Sequence, residues 1–269
     1  MIRFVMIIGI LALICDTIVQ GGEDAVSESP ERDTFPKSVE LKAGFGKGKA
    51  PKSQKLGFLD LICQEVRMSE SNPSDLYTFL IIDYNVKPEL KELGHSGDGT
   101  TSLTLSGNGR VFPLGTSIYR VAEIKFFGKP LSSPLSAREG VLRLDRVDED
   151  WAAKLAPKRD SFVIPSPGNG TLHCRGIVVK DIFQEKDVSS NLKYVVKIEL
   201  LQGKELPKPV LVLKEGETFE FENAFSGEKW RHTVRRIVPE GIHSGVKGWV
   251  EFDLNGMKVK EDKEPDKTK

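Results

Sequence analysis

The stretch GTLHCRGIVV, residues 170–179, places His173 directly before Cys174 at the start of an apolar run. An imidazole beside a thiol could be a general base with its nucleophile, or two ligands of one metal ion. Successive side chains of a β-strand, however, point to opposite faces. In a strand, Cys174 would share a face with Leu172, whereas His173 would share one with Arg175, as on a solvated edge. This alternation predicts that the pair neither exchanges a proton nor binds one metal.

A second cysteine motif, LICQEV at 61–66, resembles LHCRGI at 172–177 but has Ile62 in place of the histidine. Both Cys63 and Cys174 are therefore predicted to be buried core thiols, because free cysteine is among the most buried residue types. A disulfide between them is the alternative in an exported protein. If they occupy the cores of separate domains, they lie beyond the roughly 7 Å Cα separation that a disulfide bridges. We expect two free thiols.

Two glycine-rich stretches resemble catalytic loops, and each lacks a required residue. GHSGDGTT (94–101) does not fit the hydrolase pattern G-x-S-x-G, because Asp98 stands at the final glycine position. GFGKGKA (44–50) does not fit a phosphate-binding loop, because Ala50 follows Lys49 where Ser or Thr is needed. The sequence assigns no catalytic residue.

The histidines show no spacing that is typical of a metal site. They are His95, His173, His232 and His243, and none belongs to H-E-x-x-H or to another compact ligand pattern. A zinc site would need ligands from distant loops. Acidic pairs such as Asp145 and Asp148 are too common to indicate acid–base chemistry. The sequence therefore predicts no metal and no cofactor.

Aromatic and basic side chains on two predicted strands are the candidate ligand-binding residues. The candidates are Trp230, Arg231, His232, Arg235 and Trp249. If Trp230 stands on an exposed face with His232, it could stack on a sugar ring while Arg231 or Arg235 attracts an anionic partner. The alternative is that one or both tryptophans fill the core, since Trp side chains are mostly buried.

The elements that would position these residues begin after an N-terminal leader. MIRFVMIIGILALIC has one positive charge, Arg3, followed by an apolar run from Phe4 to Cys15. This run is short for a membrane span of roughly 20 residues and is typical of a signal peptide. Residues 1–21 are thus predicted to be a signal peptide cleaved near Gly21, which indicates a secreted or periplasmic protein. The alternatives are an anchor formed by residues 4–19, or lipidation at Cys15; membrane contact would then occur only through this segment.

The flanking segments are polar. Residues 22–55 are rich in Gly, Pro and Lys and predict a disordered spacer, and residues 261–269 form a charged tail. Asn169 begins the sequon Asn-Gly-Thr in an exposed-looking linker, and would be a glycosylation acceptor if the source is eukaryotic.

Between these ends the chain predicts a mainly all-β fold. Segments such as 76–82 and 194–201 are rich in branched and aromatic residues and are bounded by turn residues. One short helix is predicted at 148–157, with Asp148 as its cap and Pro157 as its end.

Four pairs of short motifs recur in one order along the chain. They are LICQEV and LHCRGI, SLTLSGNGRVF and VLVLKEGETFE, VAEI and VRRI, and GVLRLD and GWVEFD. This order predicts two tandem antiparallel sandwich- or barrel-like domains, 56–163 and 168–260, with a boundary in the Pro- and Gly-rich segment 162–171. One larger β-domain is the alternative.

The chain has 269 residues, of which 39% are hydrophobic, and its formal net charge is zero. Zero net charge argues against a general nucleic-acid binder, which needs an excess of Lys and Arg. We therefore expect an exported, non-enzymatic binding or scaffolding protein of the cell surface or periplasm, with an envelope polymer, glycan or protein as partner. The alternatives are a secreted carbohydrate-binding module that uses Trp230 or Trp249, and an exported hydrolase or metal-dependent enzyme whose site comes from loops.

Overall fold

The computed structural model describes most of the chain after residue 34. The described residues are 35–44, 52–69, 72, 75–84, 99–107, 109–127, 139–173, 175–186, 191–201, 209–223 and 226–259. The described residues belong to one compact unit, which begins at Phe35. The predicted signal peptide with Cys15, His95, Cys174 and the tail 261–269 lie outside the described residues.

The described elements are almost all antiparallel strands. They are β1 (Ser38–Ala43), β2 (Gln54–Leu56), β3 (Leu59–Met68), β4 (Leu76–Tyr84), β5 (Gly99–Ser106), β6 (Val111–Leu114), β7 (Ser117–Phe126), β8 (Gly140–Arg146), α1 (Asp150–Leu155), β9 (Ser161–Pro165), β10 (Gly168–Leu172), β11 (Arg175–Lys186), β12 (Leu192–Leu201), β13 (Val210–Lys214), β14 (Thr218–Glu222), β15 (Lys229–Val238), β16 (Trp249–Asp253) and β17 (Met257–Lys258). The prediction of a mainly all-β fold is confirmed.

Three open sheets form a sandwich-like arrangement. The largest has eight strands in the order β13-β12-β11-β10-β5-β4-β3-β2. A second sheet has the order β1-β8-β7-β6, and a third has the order β14-β15-β16-β9, with β17 beside β15. Alternate side chains from all three sheets meet in one apolar core, which contains Leu61, Leu142, Ile177 and Val250. The two smaller sheets therefore cover one face of the large sheet.

The strand order of the first eight strands repeats in the next eight. In each set the first strand pairs with the eighth, the second to fifth form a meander in the large sheet, and the sixth to eighth form a meander in a smaller one. β-bulges recur as well, after Cys63 in β3 and Val179 in β11, and after Val121 in β7 and Val234 in β15. We call residues 35–146 the first half and residues 161–259 the second half.

The prediction of a disordered spacer over residues 22–55 is wrong at its C-terminal end. Residues 38–43, SVELKA, form β1, in which Val39, Leu41 and Ala43 are buried and the alternate residues are exposed. This period of two is the pattern of a half-buried strand. The lysines and glycines around it obscured the strand.

The predicted boundary at 162–171 is also misplaced. This segment forms β9 and β10, and β9 pairs with β16 rather than with a strand of the first half. Pro165 is tolerated because β9 is an edge strand and Pro165 is its last residue. The second half therefore begins at β9, and the large sheet contains four strands from each half.

The short predicted helix is present but starts later than expected. α1 begins after Glu149 as its N-cap, whereas Asp148 accepts a hydrogen bond from Arg146 Nε at 2.7 Å. α1 packs in a second, smaller core with Trp249 and Val163 of the second half and Val111 of the first half. The two halves therefore meet both in the large sheet and in this second core.

Gly170 on β10 should be required at the junction of the halves. A Cβ at this position would lie 2.7 Å from Phe162 Cζ and 2.9 Å from Thr101 Oγ1. We expect Gly170→Ala to lower the free energy of unfolding by about 1–3 kcal/mol, because the packed ring must shift. Urea denaturation would measure the change. Thr171→Val, on the opposite face of the same strand, is the control and should change stability by less than about 0.5 kcal/mol. An equally stable Gly170→Ala variant would contradict the packing described.

Candidate functional site

His173 does not lie on a solvated strand edge, and that prediction is wrong. It is the first residue of a two-residue turn between Leu172 and Arg175, with φ of 45°, and it is only 1% exposed. The β2–β3 hairpin of the first half has Gly57 at this place, with φ of 59°. Tight hairpin turns need positive φ, which glycine adopts readily and histidine rarely.

The equivalence of these hairpins changes the comparison of the cysteine motifs. The bulges that follow make Cys63 of the first half equivalent in position to Val179 of the second half. The match between LICQEV and LHCRGI is therefore out of register. Cys63 itself is a buried free thiol whose Sγ lies 3.1 Å from Thr78 Oγ1, and burial raises its pKa to about 11. A thiol in this state is a poor nucleophile.

His173 belongs to a cluster of stacked rings inside the second half. Its ring lies 3.9 Å from the Trp230 ring with an interplanar angle of 12°, and 5.1 Å from the His232 ring. His232 in turn stacks on Phe221 at 5.2 Å. Trp230 is 2% exposed and Trp249 is fully buried. Both tryptophans thus fill cores, and neither presents a face on which a sugar could stack.

His232 is held by one hydrogen bond at the end of β16. Its Nδ1 lies 2.8 Å from the carbonyl oxygen of Asp253, which assigns the proton to Nδ1. Its buried Nε2 has no hydrogen-bond partner among the described residues. Gly256 covers this edge of the ring, since a Cβ there would lie 2.7 Å from Nε2. The imidazole is enclosed on every side that the structure describes, so it is a packing residue.

The two other candidates, Arg231 and Arg235, lie at the surface in ion pairs. Arg231 Nη2 is 2.6 Å from Glu220, and Arg235 Nη1 is 2.6 Å from Asp160. The structure therefore brings Trp230 and His232 together in one cluster, but it leaves both arginines outside that cluster and Trp249 in the other core.

Sequence reasoning missed Arg236, which organises the outer face of the third sheet. Its Nε donates to the buried carboxylate of Glu251 at 2.6 Å. Its terminal nitrogens donate to the carbonyl oxygens of Lys154, Leu155 and Ala156 at 3.0, 2.7 and 3.0 Å. The C-terminal end of α1 is thereby bound by a guanidinium, which satisfies carbonyls that the helix leaves free. No signal in the sequence distinguishes Arg236 from its neighbour Arg235.

The same strand positions in the first half carry the same pair with the charges exchanged. Glu123 stands at the place of Arg236 and Arg143 at the place of Glu251, each directly after a matching bulge. Arg143 lies 3.9 Å from Glu123 and 3.7 Å from Asp145, which are ion pairs longer than hydrogen bonds. The side chain of Arg143 is 46% exposed.

An open groove surrounds Arg143 on the outer face of the second sheet. Its lining residues are Gly109, Arg120, Val121, Ala122, Arg143, Asp145, Arg146, Val147, Asp148 and Glu149. We call it the arginine groove. Arg120 lies 3.5 Å from Glu149, and Arg146 lies 2.7 Å from Asp148. It is therefore a mixed-charge surface with guanidinium donors, on the face that corresponds to the α1-binding face of the second half.

Comparison with protein-family models, with curated proteins and with solved structures gives no match for this chain. The residues must therefore be interpreted from their own geometry. Among the described residues, no helix has the length and apolar character needed to cross a bilayer. In the same part of the chain, no group of three or more His, Cys, Asp or Glu side chains is placed to hold a metal ion.

Asn169 lies in β10 at the centre of the large sheet, not in a linker. Its Oδ1 accepts a hydrogen bond from Ser102 Oγ on β5 at 2.6 Å. Ser102 stands directly opposite Asn169 across the junction of the two halves. The side chain is half-buried on the face that the smaller sheets leave uncovered. Glycosylation of Asn169 stays a prediction.

Asp253 should make the second half sensitive to acid. Burial opposes ionisation, but the hydrogen bonds from His232 and from the backbone N–H of Thr233 hold its pKa below the usual value. A carboxyl whose pKa is lower in the folded state stabilises the fold above the unfolded pKa of about 3.9, and loses that contribution as pH falls through the folded value.

We therefore expect Asp253→Asn to lower the free energy of unfolding by about 1–3 kcal/mol at pH 7 and by less near pH 3. Urea denaturation at both pH values would measure this. Asp75→Asn, at an exposed position, is the control and should have little effect at pH 7. Equal destabilisation by Asp253→Asn at both pH values would show that its charge does not contribute.

Proposed function

We propose that the chain is an exported, non-enzymatic binding or scaffolding protein of the cell surface or periplasm, and that its arginine groove holds a segment of a protein partner. The observation that carries the proposal is the equivalence between the two halves. In the second half, the outer face of the smaller sheet binds a chain segment through Arg236 and three backbone carbonyls. In the first half, the equivalent face is open around Arg143.

The chemistry of the groove favours a peptide over a free anion. Each of its three arginines already lies within ion-pair distance of a carboxylate, so the groove has little excess positive charge. A guanidinium that is paired with a carboxylate can still donate to carbonyl oxygens, as Arg236 does beside Glu251. Main-chain carbonyls at the end of a partner's helix or turn are the matching acceptors.

The alternative of a carbohydrate-binding module receives less support. The tryptophans on which it depends are buried, whereas stacking on a sugar requires an exposed ring face. Trp151, the remaining tryptophan, is half-buried and stacks on His243 at 4.4 Å. Its indole face is thus already covered by a ring of this chain.

Selection of peptides from a random dodecapeptide library displayed on phage would test the groove. We expect the wild-type protein to enrich peptides whose affinity falls roughly tenfold or more for Arg143→Glu, because a hydrogen bond to a charged group contributes about 1.5–3 kcal/mol. Arg231→Glu is the matched control, since the side chain of Arg231 is 44% exposed on the equivalent sheet of the second half. Failure to enrich peptides, or equal binding to both variants, would contradict the proposal.

Export depends on the N-terminal leader and can be tested separately. We expect expression of the full chain in a secreting host to give a mature protein that begins near Gly22, because the apolar run is typical of a cleaved signal. The intact mass of the purified protein would measure this. A mass that includes Met1, or a lipid attached to Cys15, would instead indicate one of the membrane-attached alternatives.

A further inference from the structure

Exposed apolar side chains of the described residues concentrate at one end of the large sheet. Of the large apolar side chains that are exposed, five lie on the adjacent strands β11, β12 and β13; they are Phe183, Leu192, Tyr194, Val210 and Val212. Val210 and Val212 share the outer face of β13, where they oppose Glu199 and Lys197, whereas Leu192 and Tyr194 lie on the other face of β12. Exposed apolar side chains that neighbour each other commonly mark an interaction surface. The two valines lie on β13, the strand at which the large sheet ends.

The backbone of β13 also has hydrogen-bonding groups that point away from the sheet. The carbonyl of Pro209 accepts a bond from Leu200 of β12 at 3.1 Å. Alternate residues of an antiparallel strand point to the same neighbour, so Val210 and Val212 direct their N–H and C=O groups outward. Consistently, the N–H of Lys214 donates to the Glu217 carboxylate at 2.8 Å and not to β12. No described strand covers this edge.

The edge is complementary to a second copy of itself. If two β13 strands run antiparallel about a two-fold axis, Val210 of one copy opposes Val212 of the other. The two-fold axis gives two such Val210–Val212 pairs, and each pair exchanges two N–H···O bonds. Leu211 of one copy then faces Leu211 of the other copy on the inner face. The exposed valine side chains, each 49% exposed, would form one cluster on the outer face.

We infer that two copies of this chain associate through their β13 strands, which joins two eight-stranded sheets into one. The same kind of edge-to-edge strand pairing already exists within one chain, where β5 of the first half pairs with β10 of the second half. Pro209 does not block the edge, since its nitrogen faces β12. The Lys214 amine is compensated by Glu185 at 3.1 Å. The zero net charge of the chain adds no overall repulsion.

The opposite edge of the large sheet is a poorer interface. β2 has only three residues, and its Gln54 and Lys55 are exposed. Short edge strands with lysine are a common protection against edge-to-edge pairing. β2 also lacks the glycine found at the β5–β10 junction. Gln54 occupies in the β2–β3 hairpin the position that Gly170 occupies in the β10–β11 hairpin. The inference therefore concerns β13 alone, and it does not depend on the arginine groove.

Sedimentation velocity of the mature protein over a range of concentrations would test the dimer. Val212→Pro removes one outward N–H and leaves the bonds to β12 in place, because proline is compatible with an edge strand whose N–H faces solvent. Val212→Lys places a charge in the valine cluster. We expect the wild-type protein to form a dimer and both variants to sediment as monomers. Leu192→Lys, at a 59% exposed position on β12 away from the edge, is the matched control and should remain dimeric.

Circular dichroism and thermal unfolding would establish that each variant is folded. A wild-type protein that stays monomeric at about 100 μM, or folded Val212 variants that dimerise as the wild type does, would overturn the inference. The two proposals are separable by experiment. Arg143→Glu should still dimerise, and Val212→Lys should still bind the selected peptides.

Discussion

The antiparallel pairing of β5 with β10 is the contact on which the rest of the fold depends. It converts two four-stranded meanders into one sheet and removes two strand edges that would otherwise be open. Gly99 on β5 and Gly170 on β10 allow the Phe162 ring to pack closely against both strands, because a Cβ at either position would lie within 3 Å of the ring. Thr101 secures the same point by donating to the carbonyl of Val163 at 2.8 Å. The Phe162 ring thus packs against both strands at the place where the two halves meet.

The second core strengthens this junction from the other side of the third sheet. Trp249 is fully buried there, and its indole N–H donates to Glu251 at 3.3 Å. Glu251 also accepts from Arg236, which binds the end of α1. A buried carboxylate with this set of partners avoids the cost of an unpaired buried charge. Of the predicted ligand-binding residues, Trp249 is therefore the one that packs where the halves meet.

Strand composition and motif order were sufficient to predict the fold class and much of the internal correspondence. Three of the four motif pairs fall on strands that occupy equivalent places in the two halves, including the matching bulges after Val121 and Val234. The match between LICQEV and LHCRGI is out of register. His173 occupies the positive-φ turn position that Gly57 occupies in the first half, and a histidine does not resemble a glycine in the sequence. β1 was missed because its period of two is short and lies among lysines. The arginine groove depends on contacts between residues far apart in the chain, which no local pattern specifies.

The exchanged charges of the cross-strand pair have a consequence for how the chain assembles correctly. Because the halves share their topology, the linker that precedes β9 has two similar faces on which it could settle during folding. On the second half, its carbonyl oxygens meet the guanidinium of Arg236. At the corresponding position of the first half stands Glu123, which has no N–H to donate, and the guanidinium of Arg143 lies on the neighbouring strand β8. The hydrogen-bond donor therefore stands on β15 in the second half and on β8 in the first, so the two similar faces hold a chain segment at different places.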